Sequence, residues 1–226
     1  MKRNAFLFVI LLITTCTTGS LHSQRAADPD PKRYAEAMAQ FAEADAKNPV
    51  PKGGIVFVGS SSIRRMDLST LFPDLKAINR GFGGSQISDV NHYIEETVLK
   101  YEPSLTILYC GGNDLWARKP AIQVLEDFRV FCEKLFERLP NSKLIVLAAR
   151  PSPRRESIFE TELAFNYLVE MEAKNDERIT FLRGSSDRYF DEKGNYFEDF
   201  FHEDRLHMSQ AGYQIWKEIL TPYLPK

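Results

Sequence analysis

The feature that most constrains this chain is an alternation of short, continuous apolar runs with longer stretches of helical periodicity. The runs are Gly54–Val58, Leu75–Ile78, Leu105–Cys110, Leu144–Ala149 and Ile179–Leu182. Between and around them, apolar residues recur at helical spacing over 32–47, 87–100, 120–139, 156–174 and 209–221. Strands without polar alternation must be covered on both faces. Strands separated by helices pair in parallel, with right-handed crossovers. The pattern predicts a three-layer α/β/α sandwich around a parallel, flavodoxin-like five-stranded sheet.

At 226 residues and 43% hydrophobic content, the chain is long enough for one domain with a substantial core. Its 29 basic and 31 acidic residues nearly cancel, so the basic footprint that nucleic-acid binding needs is missing and no such partner is expected. The first residues stand apart. Lys2 and Arg3 precede the nine-residue apolar run Ala5–Ile13 and a small polar stretch to Ser23, the layout of a secretory signal. Nine apolar residues cannot span a hydrocarbon core of about 30 Å, so no stable membrane span is expected. The expected organisation is a signal peptide over 1–23, a linker and N-terminal helix over 24–52, and one α/β domain over 53–226. Export to the periplasm or outside the cell follows, and loss of Lys2 and Arg3 takes the formal charge from −2 to −4. Ile13-Thr14-Thr15-Cys16 faintly resembles a lipoprotein box, which leaves a lipid anchor at Cys16 open. Cys110 and Cys132 fall in apolar runs and read as two buried thiols rather than a bridge.

In open parallel sheets, chemistry gathers beyond the carboxyl ends of the strands. The tails of the runs are Gly59-Ser60-Ser61-Ser62-Ile63, Asn79-Arg80-Gly81-Phe82-Gly83-Gly84-Ser85, Gly111-Gly112-Asn113-Asp114 and Arg150-Pro151-Ser152-Pro153. A phosphate-cradling P-loop is excluded because no Gly-Lys-Ser/Thr occurs. A dinucleotide fingerprint fails at Gln86, which stands where a third glycine belongs. The Gly-x-Ser-x-Gly elbow fails at Ile63. His202-Glu203 and His207 resemble a zinc helix, but histidines five apart lie about 140° apart around a helix. No metal and no cofactor is expected.

Serine nucleophile chemistry survives. A serine needs a base, and His92, His202 and His207 are the histidines after the leader. His92 falls in a helical stretch with polar neighbours and reads as solvated. His207 follows Asp204 by three residues, and on one helical turn such side chains face the same way. The carboxylate would then hold the imidazole in its working tautomer.

These residues resemble the SGNH hydrolases, the GDSL family of esterases and lipases. The resemblance covers residues 53–221, with four motif blocks in the family's order. The first block matches Gly59-Ser60-Ser61 and implies Ser61 as nucleophile. The second matches Gly84, the third Asn113, and the last Asp204 and His207, followed by Ala211-Gly212-Tyr213. The family pattern implies a Ser61–His207–Asp204 triad and an oxyanion hole from the Ser61 and Gly84 backbones and the Asn113 amide. Ser60 replaces the acid of the first block, and three consecutive serines leave Ser60 and Ser62 as alternatives.

The resemblance implies a serine esterase acting on a small-molecule or carbohydrate ester, with short acyl groups such as acetyl as the leading reading. Lysophospholipase or thioesterase activity, or a non-catalytic glycan-binding protein on the same fold, are the alternatives. Trp116 suits stacking on a sugar ring, and Arg150, Arg154 and Arg155 suit an anionic substrate. Trp116 and Arg150 are the expected substrate contacts. The sequence does not set the oligomeric state.

Overall fold

The computed structural model describes residues 25–185 and 187–225. The signal-peptide reading, with Cys16, lies outside them. The strands are β1 (Ile55–Gly59), β2 (Ala77–Gly81), β3 (Leu105–Tyr109), β4 (Lys143–Leu147) and β5 (Ile179–Leu182). The helices are α1 (Ala35–Lys47), α2 (Ser61–Arg64), α3 (Leu68–Leu71), α4 (Ile87–His92), α5 (Ile94–Thr97), α6 (Gly112–Trp116), α7 (Ala121–Arg138), α8 (Phe159–Lys174) and α9 (Gln210–Leu220). All strand pairs are parallel, in the order β2-β1-β3-β4-β5. The expected flavodoxin-like five-stranded sheet is the observed one.

The continuous apolar runs are explained by the two cores. Successive side chains of a strand point to opposite faces. Val56, Val58, Leu108, Leu144 and Val146 face one layer, with Met38, Ile87, Val90, Phe128, Phe131 and Phe165 from α1, α4, α7 and α8. Ile55, Phe57, Ile107, Tyr109, Ile145 and Leu147 face the other, with Ile63, Leu71, Ile215 and Trp216 from α2, α3 and α9. Fully burying one such side chain contributes roughly 1.5–3 kcal/mol, and Thr106 of β3 is the one buried polar residue among the described residues of the three central strands. Cys110 is buried, Cys132 is half-buried, and both are free.

Three local expectations shift. The second strand begins and ends later than Leu75–Ile78, because as an edge strand it tolerates polar residues that find partners. Asn79 Nδ2 donates to the carbonyls of Ile63 (2.6 Å) and Met66 (3.0 Å). Buried Arg80 pairs with Asp45 and donates to Tyr101 Oη at 2.6 Å. The helix expected over 87–100 breaks at Tyr93 into α4 and α5. Asp204 and His207 lie on a turn rather than a helix, with Arg205 in the left-handed region at φ 54°.

The segment read as a linker lies against the domain from Arg25 onward. Ala26 and Gln123 exchange two hydrogen bonds of 2.8 Å, and Lys119 of the α6–α7 loop pairs with Asp28. Lys119 is buried and also meets Asp114 and Asp127, each at 3.3 Å. Charges buried this deeply persist only when paired, because the desolvation penalty is several kcal/mol per ion. This strap delivers α1 to the carboxyl edge of the sheet.

Candidate active site

β1 ends at Gly59, whose φ of 135° and position leave no room for a side chain: a Cβ there would sit 2.0 Å from the Tyr109 carbonyl oxygen. The strand therefore turns sharply, Ser60 precedes the helix, and Ser61 opens α2. The Ser61 hydroxyl lies 3.0 Å from Nε2 of His207, and Nδ1 of His207 lies 2.6 Å from Oδ2 of Asp204. Oδ1 of Asp204 accepts the backbone N–H groups of Leu206 (3.0 Å) and His207 (2.9 Å). One carboxylate thus orients both the ring and its backbone. It is the turn, not a helix face, that brings residues 204 and 207 together. Ser60 and Ser62 are buried, and the Ser62 carbonyl accepts the Tyr213 hydroxyl at 2.7 Å.

Electrostatics suit a general base. Burial lowers the proton affinity of His207 below the usual 6.5; the Asp204 hydrogen bond opposes this, while Arg65 and Arg150 add to it. Burial pushes the Asp204 carboxyl up, but its bonds from His207 and the Leu206 backbone outweigh that and hold it well below the usual range. At neutral pH the pair is a neutral imidazole against a carboxylate. A Ser61 hydroxyl donating to Nε2 then requires the ring proton on Nδ1, facing Asp204.

Around Ser61 stand three groups with N–H donors. The Ser61 N–H opens a helix and has no intrahelical partner. Gly84 follows β2 in the left-handed region at φ 82°. Asn113 of α6 gives one amide N–H to the Ser85 carbonyl (2.9 Å), and its Oδ1 accepts Nη2 of Arg155 at 2.7 Å. Arg155 therefore fixes which way the Asn113 amide points, a role the sequence did not signal. Tyr34, ahead of α1, donates to the Gly83 carbonyl at 3.2 Å and meets Phe82 edge-on at 4.8 Å.

Ser61, Gly84, Asn113 and His207 all line one groove of ≈ 540 Å³, walled opposite by Tyr34 and Phe41. A smaller cavity of ≈ 20 Å³ lies behind it, lined by Arg150, Ser152, Arg155 and Glu162, and is large enough for one water. A larger groove of ≈ 1330 Å³ sits at the opposite end of the sheet, and its described lining has no histidine or cysteine. Arg150, expected at the substrate, is 4% exposed; it donates to the Leu206 carbonyl at 2.5 Å and so braces the His207 turn from behind. Trp116 is 43% exposed beside the site, with the Arg155 guanidinium 5.5 Å from its ring. His92 is exposed, and His202 lies outside the groove. Among the described residues no group of three His, Cys, Asp or Glu could hold a metal ion, and no helix is long and apolar enough to cross a membrane.

The model of the GDSL-like lipase/acylhydrolase family matches residues 64–215. The chain belongs to this family. It is by class a carboxylic ester hydrolase. The match begins three residues past Ser61, so the unusual first block lies outside it. A search of curated proteins found no match. Among solved structures, a Streptococcus pneumonia protein named for platelet activating factor aligns with TM-score 0.76 at 21% identity, over 86% of this chain and 94% of that one. A GDSL-like lipase from Bacteroides thetaiotaomicron gives 0.64 at 20%, over 86% and 96%. An acetylxylan esterase from Geobacillus stearothermophilus gives 0.60 at 17%, over 76% and 94%. At these identities the likenesses establish the fold.

Proposed function

We propose that this esterase works by Ser61–His207–Asp204 acyl transfer to water and removes short acyl groups, acetyl foremost, from carbohydrates or small alcohols. The observation that carries the reading is the unbroken chain from Asp204 through His207 to the Ser61 hydroxyl, with links of 2.6 and 3.0 Å. In this reading Ser61 Oγ attacks the ester carbonyl carbon while Nε2 of His207 takes the hydroxyl proton. The tetrahedral oxyanion is held by the Ser61 and Gly84 N–H groups and the second amide N–H of Asn113. Collapse breaks the bond to the alcohol, which leaves with the proton from His207. Water, giving a proton to the same nitrogen, then attacks the acyl-enzyme and releases the acid and free Ser61.

Support for a short acyl group comes from the acetylxylan esterase among the structural neighbours. The reading includes export, supported by Lys2, Arg3 and the Ala5–Ile13 run; a fractionation blot finding the full-length chain in the cytoplasm would remove that part. The central test is labelling by a fluorophosphonate probe. The wild type should label stoichiometrically and Ser61→Ala should not, and p-nitrophenyl acetate should be cleaved faster than the octanoate. Labelling that persists in Ser61→Ala moves the nucleophile to Ser60 or Ser62. A folded wild type that never labels is a binding protein.

A further inference from the structure

The groove over Ser61 carries a charge pattern that ester hydrolysis does not require. Its described lining holds two arginines, Arg64 and Arg155, and no aspartate or glutamate. Arg64 stands three residues after Ser61 on α2, on the same side of that turn. Its guanidinium lies against Gly83: a Cβ there would sit 2.9 Å from Nε and 3.1 Å from both Cζ and Nη2. The cation thus rests on the bare backbone of Gly83 next to Gly84, at the edge of the reacting centre. Arg155 gives a hydrogen bond to Asn113 and lies over Trp116, whereas the Arg64 side chain has no hydrogen bond or ion pair among the described residues.

The acids nearby do not neutralise this pair. Asp204 is engaged by His207 and two backbone N–H groups. Glu162 lines the inner cavity, not the groove, and burial, opposed by Arg150 and Arg155, raises its carboxyl to about 8, so it is protonated at neutral pH. The oxyanion already has three donors in the proposed mechanism, which leaves Arg64 without a task there. Arg64 is exposed and open to solvent at the groove, and an acetyl group carries no charge, so any substrate group that Arg64 binds belongs to the other half of the ester.

We propose that the alcohol moiety of the substrate bears an anionic group, carboxylate or phosphate, which Arg64 binds at the mouth of the groove with Arg155 adding to the field. An acidic carbohydrate ester meets this description, with Trp116 exposed beside it for a sugar ring. The inference rests on the short-acyl esterase reading above and narrows its substrate.

The test uses three aryl acetates that share one acyl group: methyl 4-acetoxybenzoate, 4-acetoxybenzoate and 4-acetoxyphenyl phosphate. The neutral methyl ester has the most acidic leaving phenol, so intrinsic reactivity favours it and any preference for a charged ester comes from binding. A charge-assisted hydrogen bond to Arg64 should raise kcat/KM for the carboxylate or the phosphate about tenfold over the methyl ester at low salt. The preference should shrink in 0.5 M NaCl. Arg64→Gln should bring the ratio within about twofold, and Arg64→Lys should retain part of it. Which charged ester is favoured identifies the anion. A wild type that cleaves the methyl ester as well as the acids, or a ratio unchanged in Arg64→Gln, overturns the proposal while leaving the esterase intact. Failure to cleave any of the three, with no fluorophosphonate labelling at Ser61, overturns the esterase reading and this one with it.

Discussion

Glu162 should make the stability of this protein fall with rising pH, and Glu162→Gln should abolish that fall. The side chain is 2% exposed on α8, and its Oε2 has no hydrogen-bond partner. Burial raises its carboxyl from 4.5 to about 8, with Arg150 and Arg155 pulling the other way. The folded state therefore keeps this proton to higher pH than the unfolded state. The contribution is fully present below 4.5 and is lost as pH rises toward 8. At roughly 1.36 kcal/mol per pH unit, the ionised form would cost the fold about 5 kcal/mol, a large share of a typical 5–15 kcal/mol. Urea unfolding of the wild type and Glu162→Gln at pH 5, 7 and 9 measures it. The two should agree within about 1 kcal/mol at pH 5, and the variant should be several kcal/mol more stable at pH 9. Because every other titrating group is shared, the difference isolates Glu162. A difference that does not change with pH would refute the reasoning and mean that Glu162 is already ionised against the arginines.

Asn113→Ala should lower kcat by about 10²–10³ with little change in urea midpoint, the usual effect of losing one oxyanion donor; unchanged kinetics would remove Asn113 from the site. Arg155→Gln should lower kcat on a neutral ester by less, and Asn113→Ala with Arg155→Gln should be no slower than Asn113→Ala alone, since Arg155 acts there by holding the Asn113 amide. Additive losses would give Arg155 an independent role. The acid limb of kcat/KM should have its midpoint below 6.5, because burial and the nearby cations lower His207 and the base works only when neutral; a midpoint above 7 would contradict this.

The fold was legible where burial was symmetrical. β1, β3, β4 and β5 read directly from apolar runs because helices cover both sheet faces, and the polar residues within those runs, Thr106 and Thr180, are β-branched and suit a strand. β2 read two residues early because it is an edge strand, and Asn79 and Arg80 are strand residues satisfied by contacts the sequence does not announce. α2, α3 and α6 are four or five residues long, too short for helical periodicity to register, and they passed as loops. The Asp204–His207 spacing was read correctly as proximity but through the wrong geometry, since an Asx-type turn closes the same distance as a helical turn.

The roles at the site that the sequence hid share one property: each is exerted on a partner far along the chain. Tyr34 reaches Gly83 across 49 residues, and Arg155 reaches Asn113 across 42. Neither spacing repeats or alternates, so no local pattern carries it. The family motifs mark only groups at strand ends, whereas what orients those groups comes from the segment ahead of α1 and from the β4–α8 connection. The N-terminal strap shows the consequence. Its polar, proline-containing composition suits a linker, yet Asp28 meets Lys119 beside Asp114, and Asp114 in turn accepts the Ile87 N–H at the start of α4. α4 follows directly on the Gly83–Gly84 loop that Tyr34 grips from the other side. The strap and the proposed oxyanion loop are thus tied at two points, so Asp28→Asn, which takes one carboxylate partner from buried Lys119, should lower both the urea midpoint and kcat on p-nitrophenyl acetate; an unchanged kcat would break the link from the strap to Gly84.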